Sequence, residues 1–325
     1  MSGGERPLVA VVVPTRARPT RLQWLLNALA DQSVDAAAWE VVVSHDGDPD
    51  TARVLAGHPL ARAGQLRSIA LDRGSGPAPK RNAGWRAAKA PMIAFTDDDC
   101  RPARDWLEQL LAVGGSGMEI VQGRTVRDPD EAHIARLTPW SWSQAVSPPS
   151  VAAETCNIAY PRTLLERLGG FDEVGFTGVG GEDTDLCVRG LAAGARQVAA
   201  PDAVVFHAVE DVGLLGLLRI ASRWGPLASL YAKHPALRRD LTLGIFWKPR
   251  HPLVLLAAGG LLLARRDRRA LVALLPYLGR VRPSSGRGRR SRPAGALTVP
   301  GRAAIDLVEV GALARGAIRH RTLLL

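Results

Sequence analysis

The stretch Met92-Ile93-Ala94-Phe95-Thr96-Asp97-Asp98-Asp99 decides how the rest of the chain is read. A short apolar run opens it and predicts a strand buried on both faces. The run passes without a turn into three adjacent carboxylates. Like charges this close repel one another, and they persist at a strand end where a cation or strong donors compensate them. Hard carboxylate oxygens suit Mg²⁺ or Mn²⁺. Neighbouring residues on an extended strand point to opposite sides, so Asp97 and Asp99 can face one site. Taken alone, the triplet also reads as a solvated acidic turn.

Outward from it, Leu8 to Val13 is a second buried-strand pattern, closed by Pro14-Thr15-Arg16. Glu40 to Ser44 is another and ends at His45-Asp46-Gly47; Leu66 to Leu71 is a further one. Between them a helix is expected from about Thr20, with Leu22, Leu25, Leu26 and Leu29 on one face. A second helix is expected over Arg81 to Ala88, after a loop carrying Gly74, Gly76, Pro77 and Pro79, and a third over Asp105 to Val113. Strands alternating with helices predict a doubly wound α/β domain with a mostly parallel sheet. Ligands of such sheets sit outside the carboxyl ends of the strands. Pro14, Thr15, Arg16, Asp46 and Asp97 to Asp99 all fall at such ends.

The later half is less regular. Trp140 to Ser150 reads as a loop, Pro161 to Leu168 as a short helix closed by Gly169-Gly170, and Phe176 to Gly181 as a glycine-rich loop. Asp183 to Ala193 and Leu214 to Tyr231 are expected to be helical, and Ala203 to Phe206 to be a strand ending at His207. Leu253 to Ala264 and Leu271 to Leu278 are apolar but shorter than the roughly 20 residues a spanning helix needs. Arg265, Arg266, Arg268 and Arg269 separate them. Residues 283–300 are rich in Arg, Ser and Gly and are expected to be disordered.

Charge divides the chain. From Leu241 onward there are 16 Lys+Arg against 3 Asp+Glu, a net +13, while the first 240 residues hold 26 against 28, a net −2. The division expected is therefore a catalytic domain over 1–240 and a basic helical extension over 241–325. The extension's partner is either anionic lipid or another polyanion, unless its arginines are merely solvated; no nucleic-acid partner is expected. Cys100, Cys156 and Cys187 are odd in number and scattered, which suits a reducing, cytoplasmic setting better than a disulfide framework or a zinc ribbon. No secretory leader is expected, since the run Leu8 to Val13 is short and stops at Pro14.

Other residues carry chemistry of their own. Asp46 is placed to accept a nucleobase N–H, or is a turn aspartate before Gly47. Lys80 and Arg81, at a helix entry, fit a diphosphate better than they fit the helix dipole. The segment Gly74-Ser75-Gly76-Pro77-Ala78-Pro79-Lys80 is not a P-loop, because its prolines remove amide donors. Glu182-Asp183 opens a helix after Gly180-Gly181, as caps or as a general base. His207 reads as a metal ligand or as a buried, hydrogen-bonded histidine.

Six segments then fall into one order: Val11-Val12-Val13-Pro14-Thr15-Arg16, Val43-Ser44-His45-Asp46-Gly47, Lys80-Arg81-Asn82-Ala83-Gly84, Phe95-Thr96-Asp97-Asp98-Asp99, Gly169-Gly170-Phe171-Asp172-Glu173 and Glu182-Asp183-Thr184-Asp185-Leu186-Cys187-Val188-Arg189. Over roughly residues 7 to 235 the chain resembles the family 2 glycosyltransferases, with their nucleotide-binding GT-A fold. The resemblance implies an inverting, metal-dependent transfer, with Mn²⁺ or Mg²⁺, from a UDP- or dTDP-linked sugar to a hydroxyl on a glycan, a lipid-linked or a small-molecule acceptor. It implies that Pro14, Thr15, Arg16 and Asp46 line the nucleoside side. Lys80 and Arg81 face the pyrophosphate, and Asp97 and Asp98 also contact the donor. Asp97 and Asp99, with His207, hold the metal; Asp183, with Glu182 beside it, is the base. His45 departs from the family, which often has an aspartate there. A nucleotidyltransferase would show a glycine-rich phosphate loop where Pro14-Thr15-Arg16 stands, and a non-catalytic sugar-binding scaffold need not keep both acidic motifs.

Overall fold

The computed structural model describes residues 6–114, 117–176, 178–281 and 298–325. The chain folds into two compact units, residues 1–132 with 143–209, and residues 133–142 with 210–325. Residues 210–240, grouped with the catalytic domain by charge, thus belong with the extension.

In the first unit the strands are β1 (Val9–Pro14), β2 (Trp39–His45), β3 (Leu66–Ala70), β4 (Met92–Phe95), β5 (Cys100–Pro102), β6 (Glu119–Arg127), β8 (Ile158–Pro161) and β9 (Arg196–His207). They form one sheet in the order β3-β2-β1-β4-β8-β6-β9-β5. β3, β2, β1 and β4 are parallel neighbours; β8 runs antiparallel between β4 and β6, β6 and β9 are parallel, and β5 closes the edge antiparallel to β9. The sheet is therefore parallel in its first half and mixed in its second.

β1 shows why sequence dictates this. Its side chains alternate between two cores. Val9, Val11 and Val13 pack with Leu22, Leu25, Leu26 and Leu29 of α1 (Pro19–Ala30) on one face. Ala10 and Val12 pack with Ala78 and Trp85 of α4 (Pro77–Ala87) on the other. Gly84 lets α4 approach, because a Cβ there would lie 2.4 Å from Val12 Cγ1. Between β2 and β3 lie α2 (Pro49–Gly57) and α3 (Pro59–Arg62); α5 (Trp106–Val113) precedes β6. α7 (Arg162–Leu168) ends at Gly169, whose φ of 74° is the left-handed cap. α8 is Glu182–Ala192.

The second unit is helical. It holds α6 (Ile134–Leu137), the two-stranded pair β7 (Ser141–Trp142) with β10 (Glu210–Asp211), and α9 (Gly213–Ala221), α10 (Leu227–Lys233), α11 (His251–Leu263), α12 (Leu275–Arg280) and α13 (Val299–Arg319). The single helix expected over Leu214 to Tyr231 breaks around Gly225-Pro226. Gly225 is also where α13 crosses, since a Cβ on Gly316 would lie 2.0 Å from the Gly225 carbonyl oxygen. No sequence pattern announces α13. Its buried Asp306 and Glu309 carry it: Glu309 takes Lys248 at 2.7 Å, and Asp306 takes Arg250 at 3.2 Å and the Tyr277 hydroxyl at 2.9 Å. Residues 283–297 of the stretch expected to be disordered lie outside the described residues, and Val299-Pro300 open α13. Among the described residues no helix is long and apolar enough to cross a membrane.

Candidate active site

β1, β2, β4 and β9 run in one direction, so their carboxyl ends meet at one edge of the sheet. That edge gathers Thr15, Asp46, Asp97 to Asp99 and His207. Helix α4 adds Lys80 and Arg81 from its first turns, and α8 adds Glu182 and Asp183.

On the β1–β2 side, buried Lys80 pairs with Asp46 and donates to the Thr15 carbonyl at 2.9 Å. Arg16, largely exposed, approaches Asp46 at 3.4 Å. The Thr15 hydroxyl donates to Asp98 at 2.6 Å. His45 accepts the Gly47 N–H on Nδ1 at 3.2 Å, and burial with nearby Lys80 lowers its pKa.

Arg81 is the hub. It donates to Asp97 at 2.8 Å and to Glu182 at 3.2 Å, and its guanidinium stands 5.8 Å from the Phe171 ring centroid. Burial works against its charge, but Asp97, Glu182 and Asp183 outweigh that and hold it firmly protonated. Its Nε has no acceptor among the described residues. Glu182 also accepts the Gly180 N–H at 2.8 Å, which Gly180 and Gly181 permit by taking φ of 109° and 98°. Asp183 accepts the Thr184 N–H at 3.2 Å. Burial and the neighbouring Glu182 push Asp183 up to about 8, with Arg81 opposing. Burial and Asp99 likewise raise Asp98 to about 7.

The strand register brings together a candidate metal site. Cys100 pairs with His207 across β5 and β9, which sets Asp99 Oδ1 3.6 Å from His207 Nε2. His207 Nδ1 lies 3.0 Å from the Ala208 carbonyl, which can only accept, so Nδ1 carries the hydrogen. In a neutral ring Nε2 then turns a lone pair toward a carboxylate. Such a ring and the carboxylate together offer an oxygen-plus-imidazole set that suits a divalent cation such as Mn²⁺, whereas a protonated ring would donate to Asp99 directly. Among the described residues Asp99, Cys100 and His207 form the group whose ligand atoms all lie within 4.8 Å of one another. Burial drives the Cys100 thiol pKa well up, so it is a poor anionic ligand. Asp97 stands apart from that group, on Arg81.

Sequence reasoning missed Arg18, whose guanidinium sits 2.6 Å from Asp99 and 3.5 Å from Asp98. It also gave no role to Asn82, which clamps the Gly169-Gly170-Phe171 turn by donating to the Phe171 carbonyl at 2.8 Å and accepting its N–H at 2.9 Å. Arg189, held by Asp185 at 2.8 Å, donates to the Gly170 carbonyl at 2.7 Å from the other side. Asn82 and Arg189 both lie within the motif segments, and a Gly-Gly turn, whose backbone groups need partners, was the available signal.

Carboxylates, buried cations and a candidate metal site thus gather at the carboxyl edge of this sheet. Residues 10–166 match the family described as glycosyl transferase family 2. Validoxylamine A glucosyltransferase of Streptomyces hygroscopicus subsp. jinggangensis is 31% identical over 216 residues, covering 56% of this chain and 51% of that protein. Glycosyltransferase AglE of Haloferax volcanii is 25% identical over 259 residues, 76% of this chain and 84% of that one. A solved mannosyltransferase, PcManGT from Pyrobaculum calidifontis in complex with GDP-Man and Mn²⁺, shares the fold with a TM-score of 0.58 at 23% identity, over 97% of this chain and 87% of its own. The matched segment, residues 10–166, is a family 2 glycosyltransferase domain, and the chain has the GT-A fold. It spans about half the length of the validoxylamine A glucosyltransferase it matches.

Proposed function

We propose that the chain moves a glycosyl group from a UDP- or dTDP-linked sugar to a hydroxyl acceptor, with inversion at the anomeric carbon. One observation carries this reading: Arg81 is held between Asp97 and Glu182, so the phosphate-side cation, the acidic triplet and the base loop share one network. Thr15 and Asp46 serve the nucleoside, fixed by Lys80. The unpartnered Nε of Arg81 is a donor available to the diphosphate. Asp99 and His207 would hold Mn²⁺ or Mg²⁺, and Asp97 would join them by turning from Arg81. The bound ion supplies neutralisation of the charge that builds on the leaving diphosphate. Asp183 takes the acceptor's hydroxyl proton as the oxygen bonds to the anomeric carbon and the bond to the diphosphate breaks. The acceptor is a glycan, lipid-linked or small-molecule hydroxyl. For the basic extension we take an anionic membrane surface at the cytoplasmic leaflet as partner, where lipid-linked acceptors are met.

Hydrolysis of UDP-, dTDP- and GDP-sugars, each with and without Mn²⁺, tests the reading. A uridine or thymidine donor consumed only with the ion supports it. Consumption unaffected by chelation, or release of pyrophosphate from a nucleoside triphosphate and sugar phosphate, overturns it.

A further inference from the structure

The apolar runs flanking Arg265 to Arg269 fold as a hairpin: α11, then the 3-10 turn Arg268–Leu274, then α12. The two arms are packed tightly, since a Cβ on Gly260 would lie 2.7 Å from both the Ala270 carbonyl oxygen and the Ala273 Cβ. The inner face of α11 offers Val254 and Ala257 to a small core with Tyr277 of α12 and Val310 of α13. Among the described residues the opposite face has no such cover. At helical spacing Leu255, Leu256, Leu262 and Leu263 form one stripe, exposed by 37%, 49%, 66% and 59%. Across the turn, Val272 and Leu275 are 69% and 61% exposed. A helix apolar on both faces suits a core or a lipid phase, and an exposed apolar patch of this extent marks an interaction surface.

Charge identifies the occupant. Arg265, Arg266, Arg268 and Arg269 are exposed at the tip, with Asp267 as the one anion of that turn. Leucines flanked by arginines match the acyl–headgroup boundary of an anionic bilayer, where the leucines are buried and each arginine meets a phosphate. A second copy packed hairpin on hairpin would cover the leucines but set four arginines against four others, with Asp267 as the one anion each turn brings. We propose that the α11–α12 hairpin is a monotopic lipid-binding element lying in the headgroup region of an anionic membrane. This rests on the membrane partner proposed above and assigns it to one hairpin rather than to the tail's charge at large.

Flotation of the full chain with vesicles decides. With about 70% phosphatidylcholine and 30% phosphatidylglycerol, the wild type should float, and it should lose that binding in about 0.5 M NaCl. Leu262→Gln with Val272→Gln and Leu275→Gln should cut the floating fraction at least about tenfold. These positions are exposed, so circular dichroism and donor hydrolysis in solution should match the wild type. Replacing the four arginines by Gln should abolish the preference for anionic over pure phosphatidylcholine vesicles. A wild type that stays at the bottom of the gradient overturns the proposal, as does a leucine-face variant that floats normally. So does a patch that serves a second copy, seen by light scattering as a wild-type dimer, a monomeric variant and no flotation by either. Donor hydrolysis is read separately, so failure here leaves the glycosyl-transfer reading standing.

Discussion

The triplet Asp97–Asp99 and the pair Glu182-Asp183 are both runs of adjacent carboxylates on one site, yet they are neutralised differently. Within the triplet, Asp98 and Asp99 lean on Arg18, whose side chain is 41% exposed, and on the Thr15 hydroxyl, while Asp97 shares Arg81 with the pair. The pair leans on Arg81, which is 6% exposed, and on the Gly180 N–H. An exposed guanidinium can leave when another cation arrives, at modest desolvation cost; a buried one cannot leave without stranding Glu182. Asp98 and Asp99 are thus placed to exchange their counter-charge, and Asp97 and the pair to keep theirs. Burial and a neighbouring carboxylate push one member of each run upward, Asp98 to about 7 and Asp183 to about 8.

The largest expected effect comes from removing the fixed member's reactive neighbour. Asp183→Asn should lower turnover by roughly 10²- to 10⁴-fold, the scale of a lost general base, with donor affinity nearly unchanged. Single-turnover kinetics beside donor titration separates the two. If Glu182→Gln shows that split and Asp183→Asn does not, Glu182 is the base. At the exchangeable end, Asp99→Asn should remove the Mn²⁺-dependent gain in nucleoside-diphosphate affinity, a loss of about 10²-fold if the ion contributes several kcal/mol. Calorimetry with and without Mn²⁺ measures it, and an unchanged gain means the ion sits elsewhere.

The two cations should differ as sharply in stability. Arg81→Met leaves Glu182 buried without its charge partner and should cost about 3 kcal/mol. Arg18→Met removes an exposed partner and should cost less than about 1 kcal/mol. Urea denaturation of both variants reads the difference, and equal losses would erase the distinction between the two stretches.

Most of what positions the first stretch was legible in the sequence. β1, β2 and β4 are continuous apolar runs, and turn residues follow each, so the carboxyl edge and its aspartates could be read directly. β6 was not, because Gln122, Gly123 and Arg124 interrupt its apolar pattern, and the buried Gln122 is acceptable because the Ser150 N–H and Gln197 donate to its oxygen and Glu154 accepts from its amide. α13 hid for a similar reason: its buried face carries Asp306 and Glu309, which look like solvent residues until Lys248, Arg250 and Tyr277 are brought to them. In the site, Arg18 was invisible because it meets Asp98 and Asp99, the latter 81 residues on, only once β1 and β4 lie side by side, a pairing that no local pattern encodes. Motif spacing located carboxylates; it could not say which cation each one would hold.

The smallest effect is on pH dependence, and it separates the two stretches again. The base must be deprotonated to act, and the pKa of Asp183 is raised, so its active form is the minority below about 8. The free-enzyme profile, kcat/KM, should therefore climb with pH and level off above about 8, falling about tenfold for each unit below. Glu182 is one cause of the rise, through like-charge repulsion, so Glu182→Gln should move the limb to lower pH. In Asp183→Asn the residual activity should lose the limb altogether. Asp98 offers the competing assignment, since it too is raised, to about 7. A limb that persists unmoved in both variants and shifts in Asp98→Asn would belong to the triplet, and the stretch that exchanges its cation would then also set the pH profile.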